Sequence, residues 1–234
     1  MIAESLGVVA CAGAGLLAHG ARGWSSTLFG PSVWRGASGR PSIALTFDDG
    51  PSESTPDLLE LLDRHQVRAT FFQCGVTVRR LPSVARLVVS AGHEVGNHSD
   101  THAPFWRRSA AGIYAELAAA QAAILEASGV TPKLFRAPYG VRWFGLRAAQ
   151  KRLGLTGVMW TAIGRDWKLP AAGVAARLSA AATSGAIFCL HDGRDLKPEP
   201  DISATLEAVA RLVPQLKDRG YHFETVSEIL CPTN

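Results

Sequence analysis

The stretch SIALTFDDGP, residues 42–51, joins an apolar run to two adjacent aspartates and a Gly-Pro pair. The apolar run predicts a buried strand at 42–47, and the Gly-Pro pair predicts a turn immediately after it. Asp48 and Asp49 therefore stand where a strand ends. Two neighbouring carboxylates repel each other unless a cation, a proton or an arginine compensates them. This turn is predicted to hold such a compensating group.

Short apolar runs alternate with longer amphipathic segments along the rest of the chain. Six further strands are predicted, at 69–74, 93–98, 133–138, 156–161, 186–191 and 222–226. Apolar residues spaced three and four apart predict the intervening helices, most clearly at 58–62, 84–91, 113–124 and 202–216. Regular alternation indicates parallel strands with right-handed crossovers, and seven units favour a distorted (β/α)7 barrel that is TIM-barrel-like. A doubly wound open sheet is the alternative.

Composition is that of one ordinary globular domain. The chain has 234 residues, of which 47% are hydrophobic and 19% are charged. Its net charge of +4 comes from scattered basic residues without a stripe, so no nucleic-acid partner is expected. The four cysteines lack CxxC spacing, which argues against a zinc knuckle or a disulfide framework.

The N-terminus carries an uncharged stretch, LGVVACAGAGLLA, at residues 6–18. Its length suits the apolar region of a signal peptide and is short for a membrane span of about 20 residues. We predict an apolar signal or membrane-anchor segment at 1–24, a linker at 25–40 and a globular domain at 41–234. A helix packed on the domain is the alternative for the first segment. The expected location is the cell envelope, exported or membrane-anchored, with the cytoplasm as the alternative.

Ionisable side chains recur at the predicted strand ends. Besides the two aspartates, these are His98, Arg136, Asp166 and His191. In a parallel barrel the strands' carboxyl ends and the loops that follow form one rim, where catalytic residues gather. Five of the seven strand ends carry such a residue, and this convergence indicates an enzyme.

The motif HSDTH places His98 and His102 four residues apart, a spacing that lets both imidazoles face one point. One carboxylate from a neighbouring strand end would complete a three-ligand metal site with a position left for water. One of the paired aspartates can then bind the cation while the other accepts a proton. Asp100, between the histidines, is better suited to a surface or capping role.

Five motifs occur in order along the chain: TFDDG, HSDTH, RAPYG, RDW and LHDG. Together they resemble the motifs of the polysaccharide deacetylase family, also called carbohydrate esterase family four or the NodB-homology domain, over about residues 41–230. The resemblance implies a distorted barrel and removal of N-acetyl, sometimes O-acetyl, groups from sugar polymers. It also implies a divalent metal cofactor, with Zn²⁺ expected first and Co²⁺ or another divalent ion as alternatives.

The resemblance assigns the central catalytic roles residue by residue. It implies that Asp48 is the general base and His191 the general acid. It implies that Asp49, His98 and His102 are the metal ligands.

Supporting roles follow from the same resemblance. Asp166 is expected to keep His191 charged, and Arg136 to orient Asp48. Among substrate-binding residues, Tyr139 is expected to offer its backbone N–H to the oxyanion. Trp167 and Leu190 are expected to wall the pocket around the acetyl methyl and a sugar ring.

The predicted function is therefore metal-dependent hydrolysis of N-acetyl groups on amino sugars of peptidoglycan, a chitin-like polymer or another envelope glycan. A deformylase or deacetylase of a lipid-linked amino sugar is the alternative, and it would suit membrane association through the N-terminal segment. A non-catalytic glycan-binding relative should lack Asp48, a metal ligand or His191, and this chain has all of them. Many members of the family carry an acidic residue a few positions before the Asp-Trp pair, where this chain has Ile163, Gly164 and Arg165, and this departure leaves substrate preference open. The only partner implied is an N-acetylated glycan, without a protein partner.

Overall fold

The computed structural model describes residues 15–231. The first part of the predicted signal or anchor segment, residues 1–14, lies outside the described residues, as do residues 232–234. Residues 15–22 are helical and are called α1. Within residues 15–231, no helix has both the length and the apolar character needed to cross a bilayer.

The described chain forms one curled sheet of parallel strands. The strands are β1 Ser32–Val33, β2 Ser42–Asp48, β3 Thr70–Gln73, β4 Glu94–Asn97, β5 Leu134–Phe135, β6 Thr156–Val158, β7 Ala162–Ile163, β8 Ala186–His191 and β9 His222–Phe223. Their order is β1-β6-β5-β4-β3-β2-β8-β7, and β9 also pairs with β2. From β7 through β8 and β2 to β6 the strands advance in one direction, as in a barrel, whereas a doubly wound sheet reverses.

Helices follow most strands and cover the outside of the sheet. They are α2 Thr55–Arg64, α3 Gly75–Arg80, α4 Pro82–Ser90, α5 Ala110–Ser128, α6 Leu146–Leu153, α7 Ala171–Ala180, α8 Ser203–Asp218 and α9 Val226–Leu230. The longest, α5, begins where the Ser109 hydroxyl accepts from the Gly112 N–H, and it ends at Gly129, whose φ of 76° suits glycine. Single 3-10 turns occur at Phe105–Arg107 and Pro138–Gly140.

The central strand β2 is buried along its whole length. Ile43, Leu45 and Phe47 belong to the main core cluster, which the covering helices share, whereas Ala44 belongs to a separate cluster with Ile187. Because both faces of this strand are buried, its sequence is a nearly continuous apolar run. Its carboxyl end brings Asp48 to the rim of the barrel.

The predicted distorted barrel is confirmed. All seven predicted strands are present, several of them shortened, and the structure adds the two-residue strands β1 and β7. Two residues are too few to show a period, so the sequence could not reveal them. The segment predicted as a linker at 25–40 contributes β1, which pairs with β6.

Candidate active site

A cavity of about 510 Å³ opens at the carboxyl ends of the strands. Most of the predicted site residues line it: Asp48, Asp49, His98, His102, Tyr139, Trp167 and His191. Arg136 and Asp166 lie behind the lining, where each contacts a residue of the cavity wall. The convergence predicted from the strand ends is therefore present in the structure.

Three side chains surround one point at the base of the cavity. Asp49 Oδ1 lies 3.3 Å from His98 Nε2 and 3.2 Å from His102 Nε2. The backbone of Asp49 is left-handed, with φ of 73°, a conformation that aspartate tolerates better than most side chains. The turn directs the Asp49 carboxylate to the histidines, while Asp48 stays within the strand. The two adjacent aspartates therefore have separate partners.

The orientation of His98 is set by its second nitrogen. His98 Nδ1 lies 2.9 Å from the Arg136 carbonyl oxygen. Because a carbonyl only accepts hydrogen bonds, Nδ1 carries the hydrogen and Nε2 is the atom available as a ligand.

The donor set fits a divalent metal. Asp49 Oδ1 is buried and has no hydrogen-bond partner that meets standard geometry within residues 15–231. Burial raises the pKa of Asp49, but the close approach of His98 and the charges of His98 and His102 outweigh it and hold the pKa well below its usual range. Burial and the neighbouring His98 lower the pKa of His102 to about 4. Burial lowers the pKa of His98, but Asp48 and Asp49 outweigh it and raise the pKa, so a metal would have to displace a proton from this imidazole. One carboxylate oxygen and two imidazole nitrogens are donors that suit Zn²⁺.

A buried ion pair fixes Asp48. Arg136 is fully buried and donates from Nη1 to Asp48 Oδ1 at 2.6 Å and to Thr46 Oγ1 at 2.7 Å. Its Nε also donates to the Val158 carbonyl at 3.2 Å. Asp48 Oδ2 stands on the other side, 4.0 Å from His98 Nε2. One carboxylate oxygen is thus held by arginine, and the other faces the metal-ligand group.

His191 stands opposite, paired with Asp166. His191 Nδ1 lies 2.9 Å from Asp166 Oδ1, and the His191 backbone N–H donates to Oδ2 at 2.8 Å. The Thr205 hydroxyl donates to the same Oδ2 at 2.7 Å. Burial lowers the pKa of His191, but the hydrogen bond and charge of Asp166 outweigh it and raise the pKa to about 9. His191 is therefore an imidazolium at neutral pH.

Aromatic side chains form the mouth of the cavity. Tyr139, left-handed with φ of 58°, lies 4.6 Å from His102 between ring centroids. Trp167 meets His191 edge-on at 5.0 Å, and about half of its surface is exposed. Trp106, which the motifs do not include, lies 5.7 Å from Tyr139. Exposed aromatic faces at a cavity mouth suit the apolar faces of sugar rings.

The structure corrects one predicted substrate contact, Leu190. It is fully buried in the main core cluster, packs against Gly164 and does not line the cavity. Side chains alternate along a strand, so Cys189 and His191 face the cavity while Leu190 faces the helices. Counting back two positions from His191 in the LHDG motif would have identified Cys189 as the residue on the cavity side.

We expect Leu190→Ala to lower the free energy of unfolding by about 2–5 kcal/mol, because it leaves a cavity in the core. KM should stay within about twofold of wild type, since the side chain lies outside the pocket. Chemical denaturation and steady-state kinetics measure both. Ile163→Ala is the matched comparison, since Ile163 lines the cavity and its truncation should change KM more than that of Leu190. A larger KM change for Leu190→Ala than for Ile163→Ala would show that Leu190 contacts the substrate.

Apart from two glycines, sequence reasoning missed four cavity residues besides Cys189. They are Trp160, Ile163, Arg194 and Asp195. Asp195 follows the LHDG motif and Ile163 lies in the short strand β7, positions that no motif marks. Asp100 pairs with Arg79 at 2.8 Å and lies outside the cavity lining.

The fold and the geometry of the rim together define a class. A barrel of parallel strands carries a candidate metal site between an Asp-Arg pair and an Asp-His pair. This arrangement is typical of hydrolases that activate a water molecule.

Comparison with known proteins identifies the family. The sequence model of the family described as "Polysaccharide deacetylase" matches residues 35–158. The chain is 36% identical over 201 residues to the chitooligosaccharide deacetylase of Bradyrhizobium sp. (strain ANU 289), covering 82% of this chain and 92% of that protein. It is 35% identical over 189 residues to the peptidoglycan-N-acetylglucosamine deacetylase PgdA of Listeria monocytogenes, covering 80% of this chain and 38% of the Listeria protein. The chain therefore belongs to the polysaccharide deacetylase family, and the predicted enzyme class is confirmed.

Solved structures agree with this identification. A family four carbohydrate esterase from Streptomyces lividans, in complex with acetate, matches with a TM-score of 0.70 and 35% identity, covering 79% of this chain and 92% of that one. A pseudoenzyme of the same family from Bacillus anthracis matches with a TM-score of 0.78 and 28% identity, covering 86% of this chain and 69% of that one. Because a pseudoenzyme shares the fold, the side chains of the site have to carry the argument for activity.

Proposed function

We propose that this protein is a metal-dependent hydrolase that removes N-acetyl groups from the amino sugars of an oligo- or polysaccharide. One observation carries the proposal: Asp49, His98 and His102 converge on one point in a cavity that Asp48 and His191 also line. The aromatic mouth and the names of the relatives support a glycan as the substrate.

Asp49, His98 and His102 would hold the metal. When bound there, a divalent ion such as Zn²⁺ lowers the pKa of a water molecule and polarises the substrate carbonyl. Asp48 accepts the proton of the attacking water through Oδ2, because Arg136 holds Oδ1 and keeps the carboxylate in place.

His191 completes the reaction as the general acid. An amide nitrogen leaves poorly as an anion, so it must be protonated as the bond to the carbonyl carbon breaks. The imidazolium of His191 supplies that proton, and Asp166 keeps it charged. The backbone N–H of Tyr139, at the turn Pro138–Gly140, is our candidate donor to the developing oxyanion.

Release of acetate from defined substrates tests the proposal. The full chain, stripped with a chelator and reloaded with Zn²⁺ or Co²⁺, is incubated with chitooligosaccharides, peptidoglycan fragments and lipid-linked amino sugars in their N-acetyl and N-formyl forms. We expect acetate from a soluble glycan arm, no release after chelation and recovery on reloading. Formate, or release only from lipid-linked substrate, would instead support the alternative substrate class.

His98→Ala is the matched control for the metal. It removes one of the three ligands, so we expect at least a tenfold loss of metal affinity and loss of release. Thr101→Ala in the same motif leaves the ligands in place and should retain metal. A metal-loaded wild-type protein that binds glycan yet releases neither acid would contradict the proposed hydrolysis.

We also propose an exported or membrane-anchored location in the cell envelope. Residues 6–18 are mostly apolar and uncharged, and the similar proteins named above include a peptidoglycan deacetylase. Fractionation of cells that express the full chain tests this location.

A further inference from the structure

An exposed apolar face lies on the side of the barrel where the N-terminal segment packs. It consists of Leu16, Leu17, Trp24, Leu28 and Phe144, whose side chains are 45–69% exposed, and we call it the Trp24 face. Twelve large apolar side chains are exposed within residues 15–231, and four of these five lie within residues 16–28. Three others, Trp106, Tyr139 and Trp167, belong to the mouth of the cavity. Clustered exposed apolar side chains mark a contact surface.

Contacts through neighbouring residues bring α1, Leu28 and Phe144 to one side of the barrel. Gly20 of α1 approaches the side chains of Leu28 and Phe29 closely. Phe29 in turn packs edge-on against Phe144, with 4.8 Å between ring centroids. Trp24 stacks on Trp34 at 5.7 Å with nearly parallel rings.

The face is a built part of the fold. The buried guanidinium of Arg142 donates to the backbone carbonyls of Gly23 and Ser26. Arg147 donates to the Thr27 carbonyl at 2.7 Å, and β1 continues the segment into the sheet. The exposed side chains of the Trp24 face therefore belong to a segment that hydrogen bonds hold against the barrel.

Charge is distributed unevenly, and the basic part contains this face. Residues 5–47 and 127–165 together hold ten Lys and Arg residues and no Asp or Glu. The rest of the chain has 14 basic and 20 acidic residues, a net charge of −6 against +4 for the whole chain. Exposed Arg35 and Arg147 donate to backbone carbonyls, and neither forms a salt bridge with a carboxylate of residues 15–231. Of the ten, Arg136 and Arg142 are buried and Arg40 pairs with Glu224, and the other seven are exposed. Exposed basic side chains are complementary to anions.

We propose that the Trp24 face lies against the anionic surface of a phospholipid bilayer. Residues 6–14, which precede α1, are uncharged and mostly apolar, so the sequence leading into the face has the same character. Leucine side chains and tryptophan enter the interfacial region, and surrounding arginines contact the headgroups. A sugar polymer fits less well, because sugars stack on flat aromatic rings and half or more of this face is aliphatic.

Contact with a bilayer would orient the active site. The loop between β5 and α6 carries Tyr139 at the cavity mouth and Phe144 in the Trp24 face. The mouth is thereby held beside the bilayer, so that glycans close to the membrane surface reach it first.

Quenching of tryptophan fluorescence by brominated lipids tests the proposal on the full chain. The difference between wild type and Trp24→Phe isolates the emission of Trp24 from that of the other five tryptophans. On vesicles of brominated phosphatidylcholine and phosphatidylglycerol we expect this emission to fall at least twofold. Residues 1–14 alone could attach the chain to vesicles, so vesicle binding does not test the proposal. The measured quantity is the quenching of Trp24 by lipid.

Paired variants supply the control. Leu28→Ser with Phe144→Ser should at least halve the quenching of Trp24, whereas Leu87→Ser with Leu125→Ser, which removes two exposed leucines on α4 and α5, should leave it unchanged. Acetate release from a soluble oligosaccharide confirms that each variant is folded. Quenching should weaken on neutral vesicles and at high salt.

Trp24 emission that stays unquenched while the protein is bound to vesicles would overturn the proposal. It would show that something other than lipid covers the face, such as residues 1–14, a second copy of the chain or a glycan. Equal quenching in the two paired variants, or quenching independent of lipid charge, would overturn it as well.

Discussion

Asp48→Asn is expected to lower kcat by about 10³-fold, within the range of 10² to 10⁴ for loss of a general base. The amide still accepts a hydrogen bond from Arg136 at Oδ1 but cannot take a proton from water. The metal ligands Asp49, His98 and His102 are untouched, so bound metal should remain near one equivalent. Steady-state kinetics on substrate release and metal analysis of the purified protein measure the two quantities.

The combination of retained metal and lost turnover is what distinguishes a base from a ligand. Asp218→Asn, at the exposed end of α8, removes a carboxylate of the same type far from the rim and should keep full activity. Thermal unfolding of each variant separates lost chemistry from lost folding, since a neutral partner for the buried Arg136 is expected to cost some stability. If kcat of Asp48→Asn stayed within about tenfold of wild type, Asp48 would not be the general base.

The sequence predicted most of this site because the chemistry lies where strands end. Asp48, His98 and His191 each close an apolar run, and in a parallel barrel such ends share one rim. The same logic does not show which way a side chain faces. Leu190 was misplaced for this reason, and the left-handed turn that separates Asp49 from Asp48 has no mark in the sequence.

Other features depend on contacts distant in sequence. Arg142 reaches back to the carbonyls of Gly23 and Ser26, and this contact orders a Gly- and Ser-rich segment that local composition predicts as a linker. The shift in the pKa of His191 likewise requires Asp166, 25 positions away, within hydrogen-bonding distance. Motif resemblance suggested that pair, whereas only coordinates supply its geometry.

Asp166→Asn is expected to change the pH dependence of turnover. In wild type the pKa of His191 is raised to about 9, so the imidazolium persists to that pH and activity should fall above it. Without the Asp166 charge, the pKa should fall well below 9, because burial is then opposed only by the charges of Asp49 and Asp48. A fall to the ordinary value of 6.5 would lower the protonated fraction at pH 8 from roughly 90% to roughly 3%, a loss of about 30-fold, whereas at pH 6 about three quarters of the variant would still be protonated.

The loss should therefore grow with pH, which a general loss of structure would not produce. Thr205→Val is the matched control, because it removes a hydrogen bond to Asp166 but keeps the carboxylate charge, so its alkaline limb should stay near pH 9. Stability offers a second measurement with a fixed sign. A raised histidine pKa stabilises the fold fully below pH 6.5, and this stabilisation is lost as pH rises through about 9. The advantage of wild type over Asp166→Asn in free energy of unfolding should shrink across that window. An Asp166→Asn profile with its alkaline limb unmoved would show that Asp166 does not hold the charge of His191.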